Sequence, residues 1–308
     1  MKSNNVYYNL ALEEYIFHNL KNEDYLLLWI NDKSIVLGKH QNIFEEININ
    51  ELEKSNIKAA RRNSGGGTVF HDSGNLNYTF ITDYTPEKGI EYDKFLNPII
   101  KALNSMGVPA KKRRICDIAI EEQKISGSAQ SIYKDRFLHH GTLLFDTDIN
   151  ILHNILEPPK GKFTSKATKS VKSPVVNIKN FINDKSMTIN NFKETILKYL
   201  FPNGIEYETL ENEIEEVENL VKNKYSLWEW NFGASPKFIY EKSSIFENEN
   251  IKITINVEKG IIKFCNIESK NLPIKLIKKI IEENRYSYSN IYSKLKAINM
   301  ENFTDCLF

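Results

Sequence analysis

The stretch Arg61-Arg62-Asn63-Ser64-Gly65-Gly66-Gly67-Thr68-Val69-Phe70-His71-Asp72 constrains this chain more than any other. Three consecutive glycines separate a basic pair from a short β-branched and aromatic run. Glycine alone reaches positive φ freely and lets backbone N–H groups approach a ligand with no Cβ in the way. Successive N–H groups in such a loop form an anion-binding concavity, and two guanidinium groups add fixed positive charge. Three glycines by themselves read as a flexible turn between strands. With two arginines, a serine and a His-Asp pair around them, the better reading is a loop that recognises phosphate or carboxylate. No Gly-Lys-Ser/Thr closes it, so it is not a P-loop, and it lacks the spaced glycines of a dinucleotide fingerprint.

A chain of 308 residues accommodates one large core plus a smaller one, hence one or two domains. With 41% hydrophobic and 26% charged residues the composition is globular, which argues against disorder. A formal net charge of +1 gives no strong field over the whole molecule, so bulk nucleic-acid binding is disfavoured and an acidic partner would have to meet a local basic patch. Cys116, Cys265 and Cys306 are scattered and lack metal-ligand spacing, which suits a reduced, cytoplasmic chain. Residues 1–20 contain Glu13 and Glu14 and lack the layout of a secretory leader, and no apolar run is long enough to span a bilayer. No membrane association is expected.

Periodicity predicts an amphipathic helix over residues 9–20, then strands at 25–30 and 34–37 joined as a hairpin by Asn31-Asp32-Lys33. A short helix at 50–56 leads to the glycine loop. Residues 76–81 alternate, with Leu76, Tyr78 and Phe80 on one side and Asn77 and Thr79 on the other, a polar face suited to a pocket floor. A helix at 92–106 and the basic run Lys111-Lys112-Arg113-Arg114 precede a meander over 117–121, 124–133 and 137–145. Helices alternate irregularly with hairpins, so the fold class is α+β with a mixed sheet. The lysine-rich segment 157–174, including Pro158-Pro159, has no apolar period and reads as a lid or a linker. Helices at 190–200 and 211–225 follow. Beyond Pro236 a new alternation over 251–257 and 261–267 marks a small C-terminal α/β accessory domain. The expected boundaries are 1–243 for a catalytic domain and 248–308 for the accessory one.

The second informative stretch is Lys124-Ile125-Ser126-Gly127-Ser128-Ala129, with His139-His140-Gly141-Thr142-Leu143 after it. A lysine at the head of a strand is usually a solvated edge residue. Before a run of small side chains it can hold a carboxylate and a phosphate together, as a compact charge with three donors. His140 reads as a pocket donor or as a satisfied core histidine, and on its own the core reading leads. Cys116 has no histidine beside it in sequence and reads as an inert thiol.

Together these residues resemble the lipoate–protein ligase A family, within the lipoate and biotin attachment superfamily. The likeness runs through Tyr8-Asn9-Leu10-Ala11-Leu12-Glu13-Glu14, Gly38-Lys39-His40-Gln41-Asn42, the loop 61–72 with Gly74-Asn75, the Lys124 and His139-His140 motifs, and Trp228-Glu229-Trp230-Asn231-Phe232-Gly233. Val257-Glu258-Lys259-Gly260 extends it into the accessory domain.

The resemblance implies a lipoate/biotin ligase-type catalytic domain and an ATP-dependent reaction in two steps. Lipoate and ATP give lipoyl-AMP and pyrophosphate, and a protein lysine then takes the lipoyl group. Lys124 would be catalytic. Arg62, Gly67, Thr68, Val69, Phe70, Lys124 and Asp117 would bind ATP and the adenylate; Ser64, Gly65, Gly66, His71, Lys124 and His140 would bind lipoate. Cys116 stands where the family has asparagine. The implied cofactors are ATP and Mg2+, with lipoate as substrate; the sequence assigns no metal ligands. Implied acceptors are lipoyl domains of 2-oxoacid dehydrogenase complexes and the glycine-cleavage carrier protein, with no nucleic acid. Segment 157–174 corresponds to an adenylate-covering loop, expected to be mobile or partly ordered. The alternative is a lipoyl- or octanoyltransferase of the same superfamily without the adenylation step, for which Cys116 is the only candidate thiol in the pocket. A biotin ligase would carry a Gly-Arg-Gly-Arg-type loop, and a non-catalytic lipoate binder would be expected to lose Lys124.

Overall fold

A computed structural model describes residues 1, 3–157 and 159–308. Thirteen strands are named here in chain order: β1 (Tyr25–Trp29), β2 (Ser34–Leu37), β3 (Lys58–Arg61), β4 (Val69–His71), β5 (Asn75–Asp83), β6 (Lys111–Lys112), β7 (Asp117–Ile120), β8 (Gln123–Tyr133), β9 (Arg136–Leu144), β10 (Lys162–Ser165), β11 (Phe238–Phe246), β12 (Glu249–Glu258) and β13 (Ile261–Glu268). The chain forms two compact units. The first comprises 1–39, 60–149 and 171–226, the second 40–59, 150–170 and 227–308.

The first unit is built on a six-stranded sheet of order β1-β5-β9-β8-β7-β6, antiparallel at every pairing. The expected meander is its β7-β8-β9 part. Strand β9 is buried throughout and β5 is buried up to its last residue, so both faces of the sheet centre are covered. On one face Leu76, Tyr78 and Phe80 meet Phe95, Leu96 and Ile99 of helix Tyr92–Ser105, with Phe192 and Ile196 of helix Ile189–Leu200 in the same core. Each such side chain contributes about 1.5–3 kcal/mol by leaving water. On the other face lies helix Val6–Asn19, whose buried residues include Leu10, Leu12, Ile16 and Phe17 as well as Glu13 and Glu14. It starts at Asn5, whose side chain accepts from the Tyr7 N–H.

Two local expectations are corrected. Strands β1 and β2 are not a hairpin: β1 pairs with β5, whereas β2 lies in a separate three-stranded sheet of order β3-β2-β4. The reason is Asn31, whose buried side chain accepts from Asn9 Nδ2 at 2.8 Å and donates to His71 Nδ1 at 3.0 Å, instead of capping a turn. The polar face of β5 is not a pocket floor either. Thr79 donates to Glu13 Oε1 at 2.6 Å and Asn77 to the Trp29 carbonyl at 3.2 Å, so the N-terminal helix closes over it.

The second unit holds a four-stranded antiparallel sheet, β10-β11-β12-β13. Ile251, Ile253, Ile255 and Val257 alternate inward as expected, and helices Ile274–Ile281 and Tyr288–Lys296 bury Ile277, Ile281, Ile291 and Leu295. Trp228 stacks on Phe232 at 5.7 Å and carries Arg285 over its ring at 4.5 Å. Segment 157–174, expected to be mobile or partly ordered, is held by specific contacts, and its Pro158 lies outside the described residues. Phe163 of β10 packs on Phe238 and Tyr240, at 5.6 and 4.6 Å, and Ser165 and Ser170 bond to Glu45 and Glu46. One aromatic residue anchors a segment whose lysines hide any period.

Candidate active site

The glycine loop joins β3 to β4 in the first unit. Gly66 adopts φ +89°, a region costly for any residue with a Cβ. Gly38 must also be small, because a Cβ there would lie 2.1 Å from the Gly66 carbonyl oxygen.

Both arginines of the basic pair are buried. Arg62 is buried and donates from Nε to Ser64 Oγ (3.0 Å), from Nη1 to the Val36 carbonyl (3.1 Å), and from Nη2 to the Gly65 and Gly67 carbonyls (2.7 and 2.8 Å). Arg61 donates to the Gly38 and Lys39 carbonyls. Burial lowers both guanidiniums to about 10, so both stay charged at neutral pH. Arg62 thus ties down the loop's carbonyls, while the N–H groups of Gly65, Gly66 and Gly67 meet no protein acceptor among the described residues. Carbonyls bound inward with amides left over is the arrangement that accepts an anion.

Behind the loop runs a buried polar chain. The Ser64 hydroxyl lies 2.6 Å from His140 Nε2, and His140 Nδ1 lies 2.9 Å from Glu13 Oε1. A proton on Nδ1 facing Glu13 leaves Nε2 to accept from Ser64, which fixes the tautomer. His140 therefore belongs to the loop and not to the apolar core. The next glutamate holds the next loop residue. Lys224 donates to both Glu14 oxygens at 2.8 Å and to Asn63 Oδ1 at 2.9 Å, and Tyr225 donates to Glu14 Oε2 at 2.6 Å. Burial would raise the Glu14 carboxyl, but the bonds from Lys224 and Tyr225 outweigh it and hold it below its ordinary value.

Lys124 lies on β8, across the sheet from β5. Thr79, His140 and Ala129 are opposite one another in adjacent strands, so they share the face covered by the N-terminal helix. The Lys124 ammonium pairs with Asp117 Oδ1 at 2.8 Å. Gly127 makes room for it, since a Cβ there would lie 2.6 Å from Nζ. A Cβ on Gly66 would lie 3.5 Å from that of Ala129, so the loop tip and β8 adjoin. Cys116, half-buried, has its thiol raised by burial and then by the Asp117 charge, the opposite of what a nucleophile needs.

The structure thus gathers Arg62, Ser64, Gly65, Gly66, Gly67 and His140 at one end and Lys124 with Asp117 at the other. Thr68 is buried beside the loop, and Val69 and Phe70 pair with Val36 and Ile35 in β4. His71 stands apart, edge-on to Trp29, with its Nε2 lacking a protein partner among the described residues. Burial, helped by the nearby Arg62 charge, lowers it to about 3, so it is neutral. The sequence reading missed Glu13, Glu14, Lys224 and Tyr225 as support. The signal for the glutamates was present: Leu10, Leu12, Ile16 and Phe17 surround them, so a buried helix leaves them no route to water.

The lipoyl protein ligase A/B catalytic domain family matches residues 5–201, and the bacterial lipoate protein ligase C-terminus family matches 235–306. The chain is 38% identical over 304 residues to lipoate–protein ligase LplJ of Bacillus subtilis, covering 96% of this chain and 92% of that protein. It is 41% identical over 262 residues to lipoate–protein ligase 1 of Staphylococcus aureus, covering 84% and 80%. Among solved structures, P. falciparum LipL1 in complex with lipoate superposes with a TM-score of 0.65 at 30% identity, covering 98% of this chain and 95% of that one.

Proposed function

Because the chain belongs to the lipoyl protein ligase A/B family, we propose that its glycine loop and Lys124 carry an ATP-dependent attachment of lipoate to protein lysines. The enzyme is a lipoate–protein ligase; the residue roles below are the proposal. The observation that carries it is the loop itself, with its carbonyls tied down by Arg62 and the Gly65, Gly66 and Gly67 amides left without protein acceptors among the described residues. Such amides suit the phosphate and carboxylate oxygens of an acyl-adenylate.

In the first step a lipoate carboxylate oxygen attacks the α-phosphorus of ATP. An acyl–phosphate bond forms and the bond to pyrophosphate breaks. Lys124 neutralises charge at that centre, with Asp117 orienting its ammonium. In the second step a neutral lysine amine of the acceptor attacks the acyl carbon. The C–N bond forms and the C–O bond to AMP breaks, and Lys124 again neutralises the charge that develops on the acyl oxygen and the departing phosphate. The amine proton passes to Ser64 as Ser64 gives its own to His140, and Glu13 carries the counter-charge. Thr68, Val69 and Phe70 shape the nucleotide side. The unpartnered Nε2 of His71 supports its place on the lipoate side.

Among the described residues no three His, Cys, Asp or Glu converge as a metal cage. Magnesium usually leans on phosphates with one or two carboxylates, so it would arrive with the nucleotide, and Asp117, the carboxylate paired with Lys124, would be its protein contact. It would supply charge neutralisation on the phosphates. The acceptors proposed are lipoyl domains of 2-oxoacid dehydrogenase complexes and the glycine-cleavage carrier protein. The chemistry is assigned to 1–243 and an accessory role to 248–308. A cytoplasmic location is supported by cysteines that are all free, and no helix among the described residues is long and apolar enough to cross a membrane.

The test is lipoate-dependent ATP–pyrophosphate exchange, with and without an apo-lipoyl-domain acceptor, on wild type and Cys116→Ser. Exchange without acceptor, unchanged in the serine variant, is expected. Lipoate-binding protein that shows no exchange, yet transfers from supplied lipoyl-adenylate, would overturn the adenylation step. The raised Cys116 thiol disfavours a thiol-dependent transferase.

A further inference from the structure

Resting on that reading, we infer that the acceptor protein docks on a basic and apolar face beside the reacting centre, through an acidic surface around its target lysine. A groove of about 620 Å3 lies between the start of helix Tyr92–Ser105 and the segment before β7. Ile90, Tyr92 and Ile115 line it with both basic and acidic side chains, and neither Lys124 nor the glycine loop does. Ile90 is 62% exposed and Ile115 is 67% exposed. Single exposed apolar side chains need no explanation, but two facing one groove ringed by charge are the pattern of a binding surface.

The groove carries Lys94, Lys101 and Lys112 against Glu91 and Asp93, and the segment beside it adds Lys111, Arg113 and Arg114, so the face is basic in excess. Lys112 pairs with Asp93, and Arg113 with Glu122 at 3.8 Å. Lys101, Lys111 and Arg114 have no acidic partner among the described residues. On a chain of formal net charge +1, this is a local excess. It selects an acidic partner by complementarity, steering encounter and register more than raw affinity.

Position ties the patch to the chemistry. Ile115 stands two residues before Asp117, which holds Lys124, and Lys111 and Lys112 pair with Ala119 and Ile118 of β7. A protein seated there has its edge at the strand that carries Asp117, as a lysine entering the site requires. A free nucleotide or a nucleic acid would have no use for the two exposed isoleucines.

The experiment uses the full chain with Lys111→Glu/Arg114→Glu as one variant and Ile115→Ser as another, and an apo-lipoyl domain as acceptor. It reads acceptor KM in complete lipoylation, direct acceptor binding by titration at low and high salt, and exchange without acceptor. The charge variant should raise acceptor KM and Kd about tenfold and lose most of the salt dependence seen in wild type. Ile115→Ser should weaken binding a few-fold, roughly, with salt dependence kept. Exchange should stay within about twofold of wild type, since no acceptor takes part in it. Acceptor Kd unchanged in both variants would overturn the inference. So would a parallel loss of exchange, which would put these residues in the reacting centre. Direct binding reads the docking face even if wild type shows no exchange, so a failure of the ligase reading is scored separately.

Discussion

The two ends of the active site are built differently. At the loop end almost every polar group is buried and committed: Arg62 spends donors on four acceptors, and two adjacent glutamates hold Asn63 and Ser64 through Lys224, Tyr225 and His140. At the lysine end a single ion pair to Asp117 holds Lys124, whose side chain is 25% exposed. Buried networks fixed this fully are rigid, whereas a lysine that is itself partly exposed and held by one ion pair to a buried carboxylate keeps room to turn. The loop is a fixed mould for anions, and Lys124 is the group free to turn from Asp117 to substrate. Preorganised amides lose nothing in reorganisation when charge develops, and a mobile ammonium can serve two different steps.

If that contrast holds, removing the mobile group should cost chemistry even where the stability lost with it is restored. Lys124→Ala should lose roughly 3 kcal/mol of transition-state stabilisation or more, a fall of at least about a hundredfold in kcat/KM. Asp117 is buried, so losing its partner should also lower the unfolding temperature by several degrees, roughly, and adding Asp117→Asn should recover stability but not activity. Steady-state kinetics with calorimetry checks both, and near-wild-type lipoylation would break the comparison.

Damage to the mould should behave otherwise. Gly66→Val forces a β-branched residue to φ +89° and sets a Cβ 2.9 Å from Arg62 Nη2. It should raise KM for lipoate and ATP together and lower stability by about 1–2 kcal/mol. Unchanged KM for both would reduce the loop to a turn.

Glu13→Gln is the finer test. The amide can still meet His140 but cannot balance a charged imidazole, so we expect kcat to fall about tenfold or more with lipoate KM little changed. A purely structural Glu13 would instead lower stability and leave the pH–rate profile in place. Glu13→Asp, which restores the charge, should recover part of the loss.

The smallest effect is one of pH. Burial first, then neighbouring charge, lowers His71 and His139 to about 3, against an ordinary value near 6.5. The unfolded chain therefore binds more protons than the folded one between those values. The stability these neutral histidines contribute is complete above about pH 6.5 and drains away as pH falls toward 3. Urea unfolding between pH 7 and 4 should give a midpoint that falls with pH. A His71→Gln/His139→Gln pair should flatten the slope.

Much of this was legible before any coordinates. The β7-β8-β9 meander followed from alternation and turn residues, and the anion loop from glycines that only a backbone approach or positive φ explains. The rest depends on contacts sequence cannot display. Arg62 looks like an anion-facing cation because nothing in the string says that the Gly65 and Gly67 carbonyls curl back to meet it. Asn31 looks like a turn residue because its partners, Asn9 and His71, are far away in sequence. Lys124 and Asp117 were each singled out, yet their pairing needs the β7–β8 register, in which Ala119 and not Asp117 is opposite Lys124.

The central claim is that one mobile lysine serves both half-reactions over a fixed loop. The direct measurement is Lys124→Ala assayed separately for lipoate-dependent ATP–pyrophosphate exchange and for transfer from supplied lipoyl-adenylate to an apo-acceptor. The account predicts that both fall, each by about a hundredfold or more. Exchange lost with transfer near the wild-type rate would confine Lys124 to the first step and contradict it.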